Sequence, residues 1–160
     1  MIEDIRVEQI PAQESAVVRG RCAPEDIGQF VGAAYEEVMA ALGEQGLGPA
    51  GPPLCRYLMG DEGMDEQGQA AMFTLAAGFP TSGSVAATGR VEAMTLPAGS
   101  AVVAVHVGPW TELGQAYAAV AQWMAERDLE PAGDPWEAYL DGPEVEVHRT
   151  MLTSPCRARA

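Results

Sequence analysis

The spacing of apolar residues predicts one helix in the first half of the chain. After Pro24, every fourth position is apolar, at Phe30, Ala34, Val38 and Leu42. Proline suits the first turn of a helix, because its missing N–H would have no partner there. We therefore expect a helix that begins at Pro24 and ends near the glycines of 43–46.

A second helix is predicted between about Thr111 and Arg127, after the turn formed by residues 108–110. Its apolar positions recur at helical spacing and predict a buried face. That face consists of Leu113, Ala116, Tyr117, Val120, Trp123 and Met124.

The other apolar segments are short and predict strands. Residues 2–21 indicate two short strands or one bent strand, because Pro11 interrupts their alternation. Further strands are predicted at 54–58, 70–77, 91–94, 100–107, 136–140 and 147–153, with a polar mobile loop at 60–69 and a frayed tail at 156–160.

The sequence contains an internal repeat, in which segments of the first half resemble segments of the second half. Residues 7–18 resemble 91–103, and residues 46–58 resemble 128–140 at an offset of 82 positions. Tyr35 and Tyr117 keep that offset. We expect one domain, 1–160, with a first repeat at about 1–80 and a second at about 90–156, each built as strand, helix, strand, strand.

Neither half carries enough apolar surface for a core of its own, so the two are expected to share one. The predicted fold class is α+β, in which two pseudo-twofold-related strand-helix-strand-strand repeats share one antiparallel sheet. Both helices are expected on one face, with a central ligand cleft along the pseudo-axis.

Composition narrows the function classes. The net charge is −14 and all nine basic residues are arginine, which disfavours direct binding to nucleic acid and excludes lysine Schiff-base chemistry. Three widely spaced cysteines suggest neither a disulfide framework nor a zinc site. Without a signal peptide or a membrane-spanning segment, we expect a cytoplasmic protein.

The sharpest chemical difference between the repeats is Cys55 against Glu137. Alternate residues of a strand share a face, so Glu137 lies beside Tyr139, and Cys55 lies beside Tyr57. One acid among tyrosines suits a flat, cationic organic ligand. The simpler interpretation is a glutamate on a solvated strand face.

The remaining candidates are aromatic residues and one histidine. Trp110 and Trp136 are expected near the acid, and His106 lies in an apolar strand, where core packing is the alternative to ligand binding. No phosphate loop, dinucleotide fingerprint or catalytic elbow occurs, so we expect no cofactor and no metal. Glu137 is the one candidate for acid-assisted catalysis.

Two segments carry a family resemblance. Residues 105–117, VHVGPWTELGQAY, and 131–143, PAGDPWEAYLDGP, resemble the GyrI-like small-molecule-binding domain, which also forms the effector-binding part of AraC-type and MerR-type multidrug-responsive regulators. The resemblance implies a central cleft with a glutamate at position 137 that meets cationic, hydrophobic ligands. The resemblance also implies that the aromatic residues Tyr57, Trp110 and Tyr139 line the walls of the cleft.

The resemblance also leaves alternatives open. This chain has no helix-turn-helix segment, so a stand-alone binding protein is expected. Some stand-alone relatives are hydrolases of strained, cyclopropane-bearing natural products, in which Glu137 would act as general acid or base. Others inhibit DNA gyrase, which leaves a protein partner as a third hypothesis.

Overall fold

The computed structural model describes residues 2–58, 73–141 and 147–159. These residues form nine strands: β1 (Ile2–Ile10), β2 (Gln13–Cys22), β3 (Leu54–Tyr57), β4 (Phe73–Pro80), β5 (Val91–Leu96), β6 (Gly99–Val107), β7 (Leu129–Pro131), β8 (Trp136–Tyr139) and β9 (Arg149–Ala158). The helices are α1 (Ile27–Glu44) and α2 (Leu113–Glu126), each preceded by a single 3₁₀ turn. Because these strands pair antiparallel, the predicted α+β class is confirmed.

The chain forms two compact units. Unit 1 consists of Met1–Pro11 and Ala98–Ala160, and unit 2 is Ala12–Pro97. In unit 1, β6 pairs with β1 and β9, and β9 also pairs with β7 and β8. In unit 2, β2 pairs with β4 and β5, and β4 also pairs with β3. Relative to the sequence repeats, the units have therefore exchanged their first strands, β1 and β5.

In unit 1, α2 covers one face of β6 and β9. The buried cluster there joins both strands to the helix through Val102, Ala104, Ala116, Val120, Met124, Leu152 and Cys156. Since alternate strand residues share a face, His106 on β6 and Thr150 on β9, which lie opposite each other, also face the helix. The predicted buried face of α2 is largely confirmed, although Tyr117 and Trp123 are only partly buried.

In unit 2, the predicted stripe of α1 is confirmed. Ala34, Val38 and Leu42 are fully buried, and Phe30 lies partly buried against β2. A β-carbon on Gly20 would lie 2.7 Å from the Phe30 ring, so only glycine lets that ring approach the strand closely.

The C-terminal part of the chain corrects the sequence prediction. The expected frayed tail was wrong, because β9 continues to Ala158 and Cys156 is buried opposite Pro131. Antiparallel pairing with β7 supplies backbone partners to a segment that looked terminal and polar.

The loop predicted at 60–69 and the first residues of the strand predicted at 70–77 lie outside the described residues.

Within the described ranges, no helix is both long and apolar enough to span a membrane.

Candidate ligand-binding site

The side chain of Glu137 is buried in unit 1, with only 1% of the residue exposed. Two tyrosine hydroxyl groups donate hydrogen bonds to it. Tyr117 binds Oε2 at 2.8 Å, and Tyr139 binds Oε1 at 2.6 Å. Both carboxylate oxygens are therefore engaged by oriented donors, which offset part of the cost of removing this group from water.

The strand places Glu137 on the face that meets α2. Glu137 lies opposite Leu152 in the β8–β9 register, and Tyr139 lies opposite Thr150. Leu152 belongs to the core that packs under α2. The two-residue period of a strand puts Glu137 and Tyr139 on this same face, as the sequence pattern predicted.

Tyr117 reaches the acid from α2. Sequence reasoning placed Tyr117 on the buried face of the helix but not in the site. Two signals could have identified it: the shared offset with Tyr35, and the rule that a tyrosine hydroxyl group facing a core needs a polar partner. Glu137 is a polar residue with no acidic counterpart in the other repeat, and it supplies that partner.

Trp110 extends the site toward solvent. Its ring is 47% exposed and meets the ring of Tyr139 edge-on, with centroids 5.8 Å apart. On another side, the imidazole ring of His148 lies 4.6 Å from the indole, tilted by 38°. Side-chain contacts thus connect the buried carboxylate of Glu137, through the ring of Tyr139, to the exposed side chain of Trp110. We call Glu137, Tyr117, Tyr139 and Trp110 the Glu137 site.

An ion pair ties the end of β8 to the start of β9 beside this site. Asp141 accepts hydrogen bonds from the backbone N–H and the guanidinium of Arg149, at distances of 2.9 to 3.0 Å. Chiefly because of the side-chain hydrogen bond from Arg149, the pKa of the Asp141 carboxyl lies below its ordinary value. The pair is at the protein surface, so its contribution to stability is modest.

The equivalent positions in unit 2 have different chemistry. Cys55 stands where Glu137 stands in unit 1, and it is fully buried and not part of a disulfide. Tyr35, the counterpart of Tyr117, donates to the backbone oxygen of Leu54 at 3.2 Å. Tyr57 meets Phe73 edge-on, with ring centroids 6.0 Å apart. The acid of the Glu137 site is thus particular to unit 1.

Two further predicted site residues are Trp136 and His106. Trp136 is adjacent to Glu137 on β8 and so points to the opposite face, where it is buried. His106 is buried beside Ile2, Glu112 and Gln115, around a separate cavity. That any of these residues binds a ligand stays a prediction.

In the part of the chain that the structure describes, no cluster of three or more histidine, cysteine or acidic residues is arranged to hold a metal ion.

The family of this protein follows from a match of its sequence. Residues 3–153 match the GyrI-like small molecule binding domain. The chain belongs to this family. The GyrI-like assignment covers both units, and it makes small-molecule binding the general role of the domain. No curated protein matches the sequence.

Solved structures share the fold of this GyrI-like domain. The C-terminal domain of EcmrR is 21% identical with a TM-score of 0.75, and the match covers 97% of this chain and 98% of that one. A hydrolase from Listeria innocua is 17% identical with a TM-score of 0.62, over 96% and 91% of the two chains. The protein SAV2435, solved with bound tetraphenylphosphonium, is 14% identical with a TM-score of 0.62, over 97% and 94%. At these identities the likeness concerns the fold.

Proposed function

We propose that this protein binds amphipathic, cationic aromatic compounds at the Glu137 site, with the Glu137 carboxylate as their counter-charge. The observation that carries the proposal is the buried carboxylate held by the hydroxyl groups of Tyr117 and Tyr139. A tyrosine hydroxyl group orients and solvates a carboxylate without bringing positive charge. A ligand cation near the acid would therefore gain a Coulombic interaction in a medium of low polarity.

The cation does not need to touch the carboxylate. At a separation of about 5 Å and an effective dielectric constant of about 20, two unit charges attract by about 3 kcal/mol before desolvation is counted. The rings of Tyr139 and Trp110 lie on the way to solvent and offer electron-rich faces to the same cation. Their faces also offer apolar contact area to an aromatic ligand.

Two wider observations agree with this ligand class. The net charge of −14 attracts cations over the whole surface and raises their local concentration. A protein of the same fold, SAV2435, was solved with tetraphenylphosphonium, which is an aromatic cation. Neither observation identifies the ligand. The net charge favours a cation, and the tetraphenylphosphonium complex favours a cation with aromatic groups.

Calorimetric titration with tetraphenylphosphonium tests the proposal. We expect the Glu137→Gln variant, which keeps the shape of the side chain and loses its charge, to bind at least about tenfold more weakly. Glu126→Gln is the matched control, because Glu126 is an exposed acid at the end of α2. Equal loss in both variants would mean that only the general negative field matters, and an unchanged affinity in Glu137→Gln would remove the acid from the binding site.

A second candidate function is hydrolysis of strained, cyclopropane-bearing electrophiles. The short hydrogen bond between Tyr139 and Glu137, 2.6 Å long, favours it, because such a pair orients a carboxylate that can accept a proton. In this reaction Glu137 takes a proton from water as the water oxygen bonds to a ring carbon. A C–C bond of the ring breaks, its electron pair moves into the conjugated carbonyl group of the substrate, and the proton passes from Glu137 to the product.

Mass spectrometry decides this second candidate. Incubation of the protein with a cyclopropane-bearing alkylating agent is expected to give a product heavier by one water, and Glu137→Ala is expected to reduce its rate to the uncatalysed level. Equal rates with wild type and variant would exclude Glu137 from the chemistry. The protein-partner hypothesis stays a prediction, to be tested by gyrase supercoiling assays.

A further inference from the structure

A cavity of about 240 Å³ lies in unit 1 beside the start of α2. Its lining residues are Ile2, His106, Glu112, Gln115, Ala116 and Ala119. We call it the α2 cavity. None of these residues belongs to the Glu137 site.

The α2 cavity and the Glu137 site use different sides of the helix. Glu112, Gln115 and Ala119 are three and four residues apart, so they share one stripe along the start of α2. Tyr117, which reaches Glu137, is turned by about 100° from Ala116 and leaves that stripe. A molecule in the cavity would therefore contact the helix on a flank that the Glu137 site does not use.

His106 lines the cavity and carries a buried polar atom without a partner. The residue is 1% exposed, and its Nε2 lies 3.1 Å from the carbonyl oxygen of Pro109. A carbonyl oxygen only accepts, so this contact requires the proton on Nε2 and leaves Nδ1 of the neutral ring as an acceptor. Among the described residues, neither Nδ1 nor the neighbouring Oγ1 of Thr150 has a hydrogen-bond partner.

Glu112 adds a negative charge close to this ring. A β-carbon placed on Gly108 would lie 3.2 Å from Oε2 of Glu112 and 3.6 Å from Nε2 of His106. The carboxylate and the imidazole therefore flank the same backbone position. Gly108 has a φ of +139°, a conformation that favours glycine, and glycine leaves this space to the two side chains.

We propose that the α2 cavity binds a small organic cation that carries N–H donors, of the amidine or primary amine class. The carboxylate of Glu112 would accept hydrogen bonds from the cationic group, and this charge-assisted contact favours a cation with N–H donors. Ile2, Ala116 and Ala119 supply apolar walls for the body of the molecule. A cavity of about 150 Å³ accepts benzene in another protein, so the size suits one ring with a small charged group.

This inference is independent of the function proposed for the Glu137 site. Tetraphenylphosphonium has no N–H group, and a site that selects donors would not favour it. The two sites therefore differ in ligand chemistry, and each can be lost without the other.

Benzamidine is the probe for the test, with the 160-residue chain labelled with ¹⁵N in its two histidines. We expect saturable binding with a dissociation constant on the order of 1 mM and a shift of the His106 ring signals. Glu112→Gln should weaken binding at least about tenfold. Glu126→Gln, on the same helix, should bind as the wild type does. In Glu137→Gln the His106 ring signals should still shift to the same extent at saturation, because Glu137 does not line the α2 cavity.

Three results would overturn the proposal: unmoved His106 ring signals at saturation, an undiminished His106 shift in Glu112→Gln, or loss of the His106 shift in Glu137→Gln. The last result would place benzamidine in the Glu137 site. Circular dichroism and an unfolding curve of each variant confirm that it is folded, so that weakened binding reports the lost carboxylate.

Discussion

Tyr117 on α2 donates a hydrogen bond of 2.8 Å to the buried carboxylate of Glu137 on β8. The equivalent tyrosine of the other repeat, Tyr35, donates to a neutral backbone oxygen of Leu54. A duplicated tyrosine thus meets a charged partner in one unit and a neutral partner in the other. Hydrogen bonds to charged groups are the stronger kind, so the two tyrosines should contribute unequally to stability.

Removal of one hydroxyl group from each unit tests this inequality. Tyr117→Phe should lower the free energy of unfolding by about 1.5–3 kcal/mol, and Tyr35→Phe by about 0.5–1.5 kcal/mol. Chemical denaturation measures both. An equal loss in the two variants would mean that Glu137 is held mainly by other groups.

The cysteine at the position equivalent to Glu137 gives a second prediction. Cys55 is fully buried, so Cys55→Glu would place a carboxylate where the protein has a thiol. We expect a loss of at least about 2 kcal/mol in the free energy of unfolding, since moving a charged group from water to a fully buried position is costly. Cys55→Ala is the control for lost packing, and a Cys55→Glu protein as stable as that control would contradict the prediction.

A third prediction concerns the turn between β6 and α2. Gly108→Ala should reduce stability by about 1–3 kcal/mol, because φ at this position is +139° and the added methyl group would lie 3.2 Å from Glu112. Gly114→Ala is the matched control. A β-carbon on Gly114 meets nothing within 4 Å, and alanine in a helix stabilises by about 0.5–1 kcal/mol. Thermal unfolding should shift in opposite directions for the two variants.

A fourth prediction follows from the ion pair beside the Glu137 site. The pKa of Asp141 is lowered by the hydrogen bond from Arg149, so the folded protein holds this proton less tightly than the unfolded chain does. The resulting stabilisation is present above the ordinary pKa of about 3.9 and is lost as pH falls through the lower folded value. Asp141→Asn should remove that component from unfolding curves measured between about pH 2 and pH 6. The same pH dependence in wild type and variant would contradict it.

Local patterns predicted much of unit 1. Helical spacing predicted the core face of α2, and strand alternation predicted that Glu137 and Tyr139 share a face. Both could be predicted because these periods are properties of short segments. The Tyr117 contact depends on how α2 lies across β8, which no local period records. The sequence signals for it were the repeated offset with Tyr35 and the need of a core-facing tyrosine hydroxyl group for a polar partner.

Strand pairing was harder to predict than the elements themselves. The repeats suggested that β1 belongs with the first half, yet β1 pairs with β6 and β2 pairs with β5. Pairing is decided by contacts between residues far apart in the chain. Pro11 ends the first strand, and the chain passes from unit 1 to unit 2 directly after it. The C-terminal strand was predicted at 147–153, but its continuation to Ala158 was missed for the same reason, since Cys156 is paired through β9 with β7.

The most direct test of the account changes the charge of the ligand and the charge of residue 137 together. Affinities are measured for tetraphenylphosphonium and for the neutral compound triphenylphosphine oxide, with wild type and with Glu137→Gln. We predict that the wild type prefers the cation at least about tenfold and that the variant loses this preference while its affinity for the neutral compound hardly changes. The same preference in both proteins would contradict the assignment of Glu137 as the counter-charge.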